Sequence, residues 1–165
     1  RSLVYRYFMV EDPREIQPVG VEVKLQIDLG GCTIRGIIDR LDAESDGTFT
    51  VRDYKSGKSP KPAYQAERMD GVLFYALLCR EILGVLPSAV SLIFLADGVV
   101  ITQEATEAAV NGLQAKVEKA WAGIVRDCEA ENFKPRVTPL CGWCSFRAYC
   151  PAQGGTMVEF SPRQS

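Results

Sequence analysis

Apolar and polar residues alternate from Val21 to Asp28, with Val21, Val23, Leu25 and Ile27 set against Glu22, Lys24, Gln26 and Asp28. A period of two is that of a half-buried strand. Gly30-Gly31 marks a hairpin turn, and Thr33 to Ala43 is the returning strand. Ser45-Asp46-Gly47 then turns the chain into a third strand from Thr48 to Lys55. After a loop rich in Ser, Gly, Pro and Lys (56–62) the period changes. Met69, Val72, Leu73 and Ala76 hold the spacing of one helical face, and Gly84 is the expected stop. Ala89 to Leu95 is a continuous apolar run, as in a strand buried on both faces, and Asp97-Gly98 turns it into a short partner, Val99 to Thr102. A long helix is expected over 104–130, with Val110, Leu113, Val117, Trp121, Ile124 and Cys128 on one stripe and Pro135 and Pro139 beyond its end. Residues 3–10 are apolar and aromatic and read as the tail of an element that starts earlier. The order βββ-α-β(β)-α predicts an α/β fold. Its mixed β-sheet would combine a three-stranded antiparallel meander with a further strand, sandwiched by helices.

Length and composition narrow the classes. A chain of 165 residues is one domain's worth and can bury a sizeable core. No apolar run approaches the roughly 18 residues of a membrane span, and no leader pattern is present, so no membrane partner and a cytoplasmic location are expected. The chain begins with Arg, which reads as a fragment of something longer. Histidine is absent, which excludes His general-base catalysis, Ser-His-Asp and Cys-His machinery, and zinc fingers with histidine ligands. There is no G-x4-G-K-S/T, hence no phosphate loop for ATP. The formal charge of −2 does not advertise a nucleic-acid binder. Lys55, Lys58 and Lys61 nevertheless fall within seven residues, flanked by Arg52 and Arg68. Such a cluster is a solvated loop unless the chemistry beside it acts on an anion.

Two carboxylates stand out from the strand pattern. Side chains two apart on a strand share a face, so Asp53 and Lys55 project together. With Gly47 in the left-handed position of a three-residue loop, Glu44 faces Thr48, and counting back puts Asp39 opposite Asp53 with Cβ atoms roughly 5 Å apart. Two like charges opposed on a sheet are destabilising, and a buried unpaired carboxylate protonates instead. A hard divalent cation such as Mg²⁺ removes both problems and suits a phosphate substrate, with Lys55 beside it to orient or deprotonate a water. The plainer reading is a solvated ion pair of Asp39 or Asp53 with Lys55 or Arg40.

The strings Gly36-Ile37-Ile38-Asp39-Arg40-Leu41-Asp42 and Asp53-Tyr54-Lys55-Ser56-Gly57, a helix holding Phe74-Tyr75-Ala76, and Cys141-x-x-Cys144-x5-Cys150-Pro151 closely resemble the RecB-type branch of the PD-(D/E)XK nucleases, over residues 11–155. The resemblance implies a restriction-endonuclease-like core and metal-dependent hydrolysis of DNA, most simply by an exonuclease of repair or recombination working beside a helicase. Asp39 and Asp53 would ligate Mg²⁺ or Mn²⁺, with the Tyr54 carbonyl as a further ligand, and Lys55 would position the attacking water. Lys58 and Lys61 would contact DNA. Glu22 is the upstream acid with a place near the sheet, or simply a solvent-face residue. Tyr75 is the helix tyrosine, but the Gln that the family carries four residues earlier is Gly71 here, so Tyr75 also reads as a core aromatic. The domain would then comprise a remnant (1–20), a catalytic core (21–134), a cysteine loop (135–155) and a tail (156–165). The alternative is an inactive module of the same fold that grips DNA or braces a partner.

The resemblance also gives a role to the cysteines. Cys141, Cys144 and Cys150 would supply three ligands of a 4Fe–4S cluster in the full-length protein, with the fourth thiolate before Arg1. Zinc is the alternative metal, and a disulfide is the bland one. Cys79 and Cys128 fall on or beside apolar helix stripes, and Cys32 at a hairpin tip, where none makes a fourth ligand.

Overall fold

The computed structural model describes residues 2–156; of the expected tail, residues 157–165 lie outside the described residues. In chain order the elements are helix α1 (Ser2–Val10), strands β1 (Pro18–Leu29), β2 (Cys32–Ala43) and β3 (Phe49–Lys55), helix α2 (Gln65–Leu83), strands β4 (Ala89–Phe94) and β5 (Val99–Glu104), and helix α3 (Glu107–Glu129). Short 3-10 turns follow at Pro139–Trp143, Arg147–Tyr149 and Pro151–Gln153.

The five strands form one mixed sheet in the order β1-β2-β3-β4-β5. Neighbours are antiparallel except β3 and β4, which run parallel, with α2 in the connection between them. A parallel pair requires such a crossover, whereas a tight hairpin suffices for the others. At the β1–β2 hairpin Gly30 and Gly31 both have positive φ (56° and 84°), the conformation of a two-residue primed turn.

Helix α2 buries Met69, Val72, Leu73, Ala76, Leu77, Leu78 and Cys79, more than one face of the helix. Ile38, Val51, Val90 and Leu92 join the same core from the sheet, and Val110 and Leu113 from α3. A helix apolar over so much of its circumference must be covered on more than one side. Each such side chain removed from water contributes about 1.5–3 kcal/mol. Arg80 on α2 also bonds Asn111 and Gln114 of α3, both at 2.7 Å. Gly84 ends α2 in the left-handed conformation (φ 68°), its N–H donating to the Arg80 carbonyl.

Residues 3–10 lie in helix α1. Two expectations need correcting. Strand β1 starts at Pro18, since proline is tolerated as the first residue of a strand, where its missing donor matters least. The α3 stripe is buried at Val110 and Leu113 but exposed at Ile124 and Cys128. The chain separates into two compact units, Arg1–Ala122 and Gly123–Ser165; the sheet and the core cluster belong to the first. Among the described residues no helix is long and apolar enough to cross a membrane.

Candidate active site

The turn between β2 and β3 sets the register of everything beyond it. Gly47 (φ 84°) takes the left-handed position, Glu44 accepts the Gly47 N–H at 3.0 Å, and the Glu44 N–H donates to the Thr48 carbonyl at 2.8 Å. Asp46 Oδ1 closes the loop by accepting from the Thr48 N–H and hydroxyl. The ladder then runs Ala43–Phe49, Asp42–Thr50, Leu41–Val51 and Arg40–Arg52. One further step in this register would set Asp39 against Asp53, and the charge of Asp39 does act on the Asp53 carboxyl. The backbone ladder stops at Arg40–Arg52, and at Tyr54 a side chain takes over, its N–H donating to Asp39 Oδ2 at 2.8 Å. The N–H and C=O of one strand residue leave on the same side. The Tyr54 carbonyl is therefore on the β2 side with Asp39, while the Lys55 carbonyl accepts from Leu95 on the β4 side at 2.9 Å.

Asp53 is only 3% exposed, and its Oδ2 is shielded from solvent without an aligned hydrogen-bond donor. The Lys55 ammonium lies 2.5 Å from that oxygen as an ion pair. Burial pushes the Asp53 carboxyl above its ordinary range; Lys55 opposes this and the charge of Asp39 adds to it. Tyr75, from α2, feels both carboxylates. Its phenol is held above the ordinary value first by burial and then by Asp53 and Asp39, so it remains a hydroxyl donor. Asp53, Lys55, Lys58, Arg68, Gly71 and Tyr75 line one cleft of about 520 Å³. Lys61 lies along a neighbouring depression with Tyr64 and Arg68. A Cβ at Gly71 would meet nothing within 4 Å, so the place beside Tyr75 is open.

Glu22 does not join this group. It lies between the Val21–Arg40 and Val23–Ile38 pairs, opposite Asp39, but it is exposed and has a φ of 52°. Among the described residues no set of three or more His, Cys, Asp and Glu side chains converges on one point. Glu22 thus takes the solvent-face position, the second of its two sequence readings. An upstream carboxylate that the sequence reading passed over, Glu11, does pack on the sheet. It accepts from both terminal nitrogens of Arg40 at 2.9 Å and from the Tyr54 hydroxyl at 2.8 Å. The signal for it was Arg40 itself. A guanidinium on a buried strand needs a counter-charge from elsewhere in the chain.

The two carboxylates fit a hard divalent cation. Both are oxygen donors, the Asp53 oxygen is buried with only the half-exposed Lys55 ammonium beside it, and the pair of like charges is disfavoured without a cation. The three cysteines are not gathered as a metal site among the described residues. Cys141 lies in the first 3-10 turn and its Sγ accepts the Thr138 N–H at 3.3 Å, while Cys144 is exposed and, like Cys150, sits at the end of a turn. The expected iron–sulfur or zinc site is therefore not formed among the described residues. Cys79 is a core residue, its thiol pushed up to about 11 by burial.

Residues 3–151 match the family model described as the PD-(D/E)XK nuclease superfamily. Among solved structures the chain is similar to a candidate exonuclease from Eubacterium rectale, at 14% identity and a TM-score of 0.53, covering 96% of this chain and 57% of that one. It is also similar to the protein SSO0001, at 18% identity and a TM-score of 0.50, covering 92% of this chain and 68% of that one. At such identities these two likenesses establish the fold. The chain spans little more than half the length of the first of them. Comparison with curated proteins gives no match.

Proposed function

The chain belongs to the PD-(D/E)XK nuclease superfamily, and we propose that within it this protein is a Mg²⁺- or Mn²⁺-dependent deoxyribonuclease, of exonuclease type, acting in repair or recombination. The observation that carries the reading is Asp53 Oδ2: an oxygen shut away from water, without an aligned donor, opposite a second carboxylate and beside an ammonium. Asp39, Asp53 and the Tyr54 carbonyl would hold the cation, which would supply Lewis-acid polarisation of the scissile phosphate. Lys55, tethered at Asp53, orients the attacking water and offsets the negative charge that grows on the phosphoryl oxygens. The Tyr75 hydroxyl stays protonated and donates toward the phosphate. Lys58, Lys61 and Arg68 neutralise neighbouring phosphates along the strand, where each contact adds affinity that falls with salt.

The runner-up is an inactive DNA-gripping module of the same fold. The open space at Gly71, which leaves Tyr75 without a neighbour on its own helix, favours it. Cleavage of end-labelled single- and double-stranded DNA with Mg²⁺ or Mn²⁺ separates the two. For the nuclease, cleavage stops with a chelator and falls about 100-fold or more in Asp53→Ala. Cleavage that survives Asp53→Ala rejects the site, and an intact chain that binds DNA without cutting it establishes the runner-up.

A further inference from the structure

The backbone ladder between β2 and β3 ends one step short of the two carboxylates, at Arg40–Arg52. Beyond that point the bond from the Tyr54 N–H to Asp39 Oδ2 joins the two strands at the site. On its own, one such hydrogen bond contributes only about 0.5–1.5 kcal/mol. Resting on the nuclease reading above, we propose that Glu11 is a positioning residue for the cation site. It clamps Arg40 of β2 to Tyr54 of β3 and so fixes the spacing of Asp39, Asp53 and the Tyr54 carbonyl.

The geometry of the clamp is explicit. Glu11 Oε1 and Oε2 accept a two-pronged bond from the Arg40 guanidinium, each at 2.9 Å. Oε2 also accepts the Tyr54 hydroxyl at 2.8 Å, and Arg40 Nη1 contacts that same hydroxyl. The guanidinium lies 5.4 Å from the Tyr54 ring centroid, and Tyr7 of α1 meets that ring edge-on at 5.8 Å. Arg40 is chain neighbour to Asp39, and the Tyr54 peptide is the group that bonds it. Glu11 thus holds the far end of each of the two residues whose near ends form the site. The Arg40 and Glu11 side chains are 7% and 15% exposed. At that burial a fork-to-fork pair is both strong and narrow in geometry.

The placement carries a local cost. The Glu11 N–H caps α1 by donating to the Tyr7 carbonyl at 3.0 Å, which sets a negative charge at the helix C-terminus, where the helix dipole disfavours it. Arg40 already has Asp42 as a counter-charge, with Nε 2.8 Å from Oδ1. What Glu11 adds is the link to Tyr54. Partners behind metal ligands typically change metal affinity or activity about 10–100-fold when removed.

The test reads cation binding without turnover. Free Mn²⁺ is measured by electron paramagnetic resonance as the purified chain is titrated, in the absence of DNA, for the intact protein and for Tyr54→Phe, Glu11→Gln, Glu11→Asp and Asp53→Ala, with circular dichroism to verify folding. Tyr54→Phe removes a single hydroxyl and keeps the peptide group, so it remains informative should Glu11→Gln not fold. The expected result is Mn²⁺ binding weakened about 10-fold or more in Tyr54→Phe and Glu11→Gln, part of it regained in Glu11→Asp, and binding lost in Asp53→Ala. Folded Tyr54→Phe binding Mn²⁺ like the intact chain, with Asp53→Ala still defective, overturns the clamp alone. Undiminished binding in Asp53→Ala overturns the cation site on which it rests.

Discussion

Lys55 Nζ lies 2.5 Å from Asp53 Oδ2, and the two partners differ sharply in environment: the lysine side chain is 48% exposed and the aspartate 4%. An ion pair with one partner in water returns little, of the order of 0–1 kcal/mol, whereas the buried carboxylate bears its full desolvation. The raised pKa of Asp53, caused first by burial, expresses that imbalance. Asp53→Asn removes the charge at nearly constant volume. It is expected to stabilise the metal-free chain by about 0.5–2 kcal/mol, a rise in melting temperature of about 2–4 °C per kcal/mol at this size, while cleavage is lost. A lower melting temperature for Asp53→Asn than for the intact chain would mean that the carboxylate is structural.

Two glycines that look alike in sequence make opposite predictions. A Cβ at Gly36 would come within 2.8 Å of Leu78 Cδ1 and 2.9 Å of Tyr75 Cε1, both side chains of α2. Leu78 is fully buried and has nowhere to retreat. Gly36→Ala is therefore expected to destabilise by about 1–3 kcal/mol through overpacking. Gly71, exposed within α2, has nothing within 4 Å of an added Cβ. Gly71→Ala is expected to stabilise by about 0.5–1 kcal/mol by lowering the entropy of the unfolded chain. Urea midpoints of the two variants on opposite sides of the intact chain would check both, and equal midpoints would contradict the close approach of β2 to α2.

The legible part of the fold is the part written in local periods. Val23–Ile27 alternates because one face of β1 is wet, although Val21 ahead of it is exposed, and the Ser45-Asp46-Gly47 turn gives the β2–β3 register by counting, since Gly47 can adopt the φ that the loop needs. Both signals are complete within a dozen residues. Glu11 was not legible, because its partners Arg40 and Tyr54 are 29 and 43 positions away. The burial of the α3 stripe failed for a related reason. Periodicity states that a face is apolar, and only the packing states how far along that face is covered, here Val110 and Leu113 but not Ile124. At the cysteines, spacing says which thiols are close in sequence, while the path of the backbone through the 3-10 turns between them decides whether they meet, and among the described residues they do not.

The acid limb of stability should report Glu11. Burial raises its carboxyl, but the hydrogen bonds from Arg40 and Tyr54 and the Arg40 and Arg52 charges outweigh that, and the net position is below the ordinary 4.5. A carboxyl lowered in the folded state contributes stability that is fully present above its unfolded value and is lost as pH falls through its folded one. The contribution of Glu11 is therefore whole above about pH 4.5 and fades below it. Glu11→Gln keeps an acceptor for Tyr54 but removes the charge facing Arg40. It is expected to lower stability at neutral pH by about 1.5–3 kcal/mol, the worth of hydrogen bonds to a charged group. Protonation of Glu11 in the intact chain does the same, so the two stability curves should converge as pH drops below 4.5. Denaturant unfolding of both chains from pH 7 to pH 3 measures this directly. Parallel curves over that range would mean that Glu11 carries no lowered pKa, and that the guanidinium of Arg40 is held by Asp42 instead.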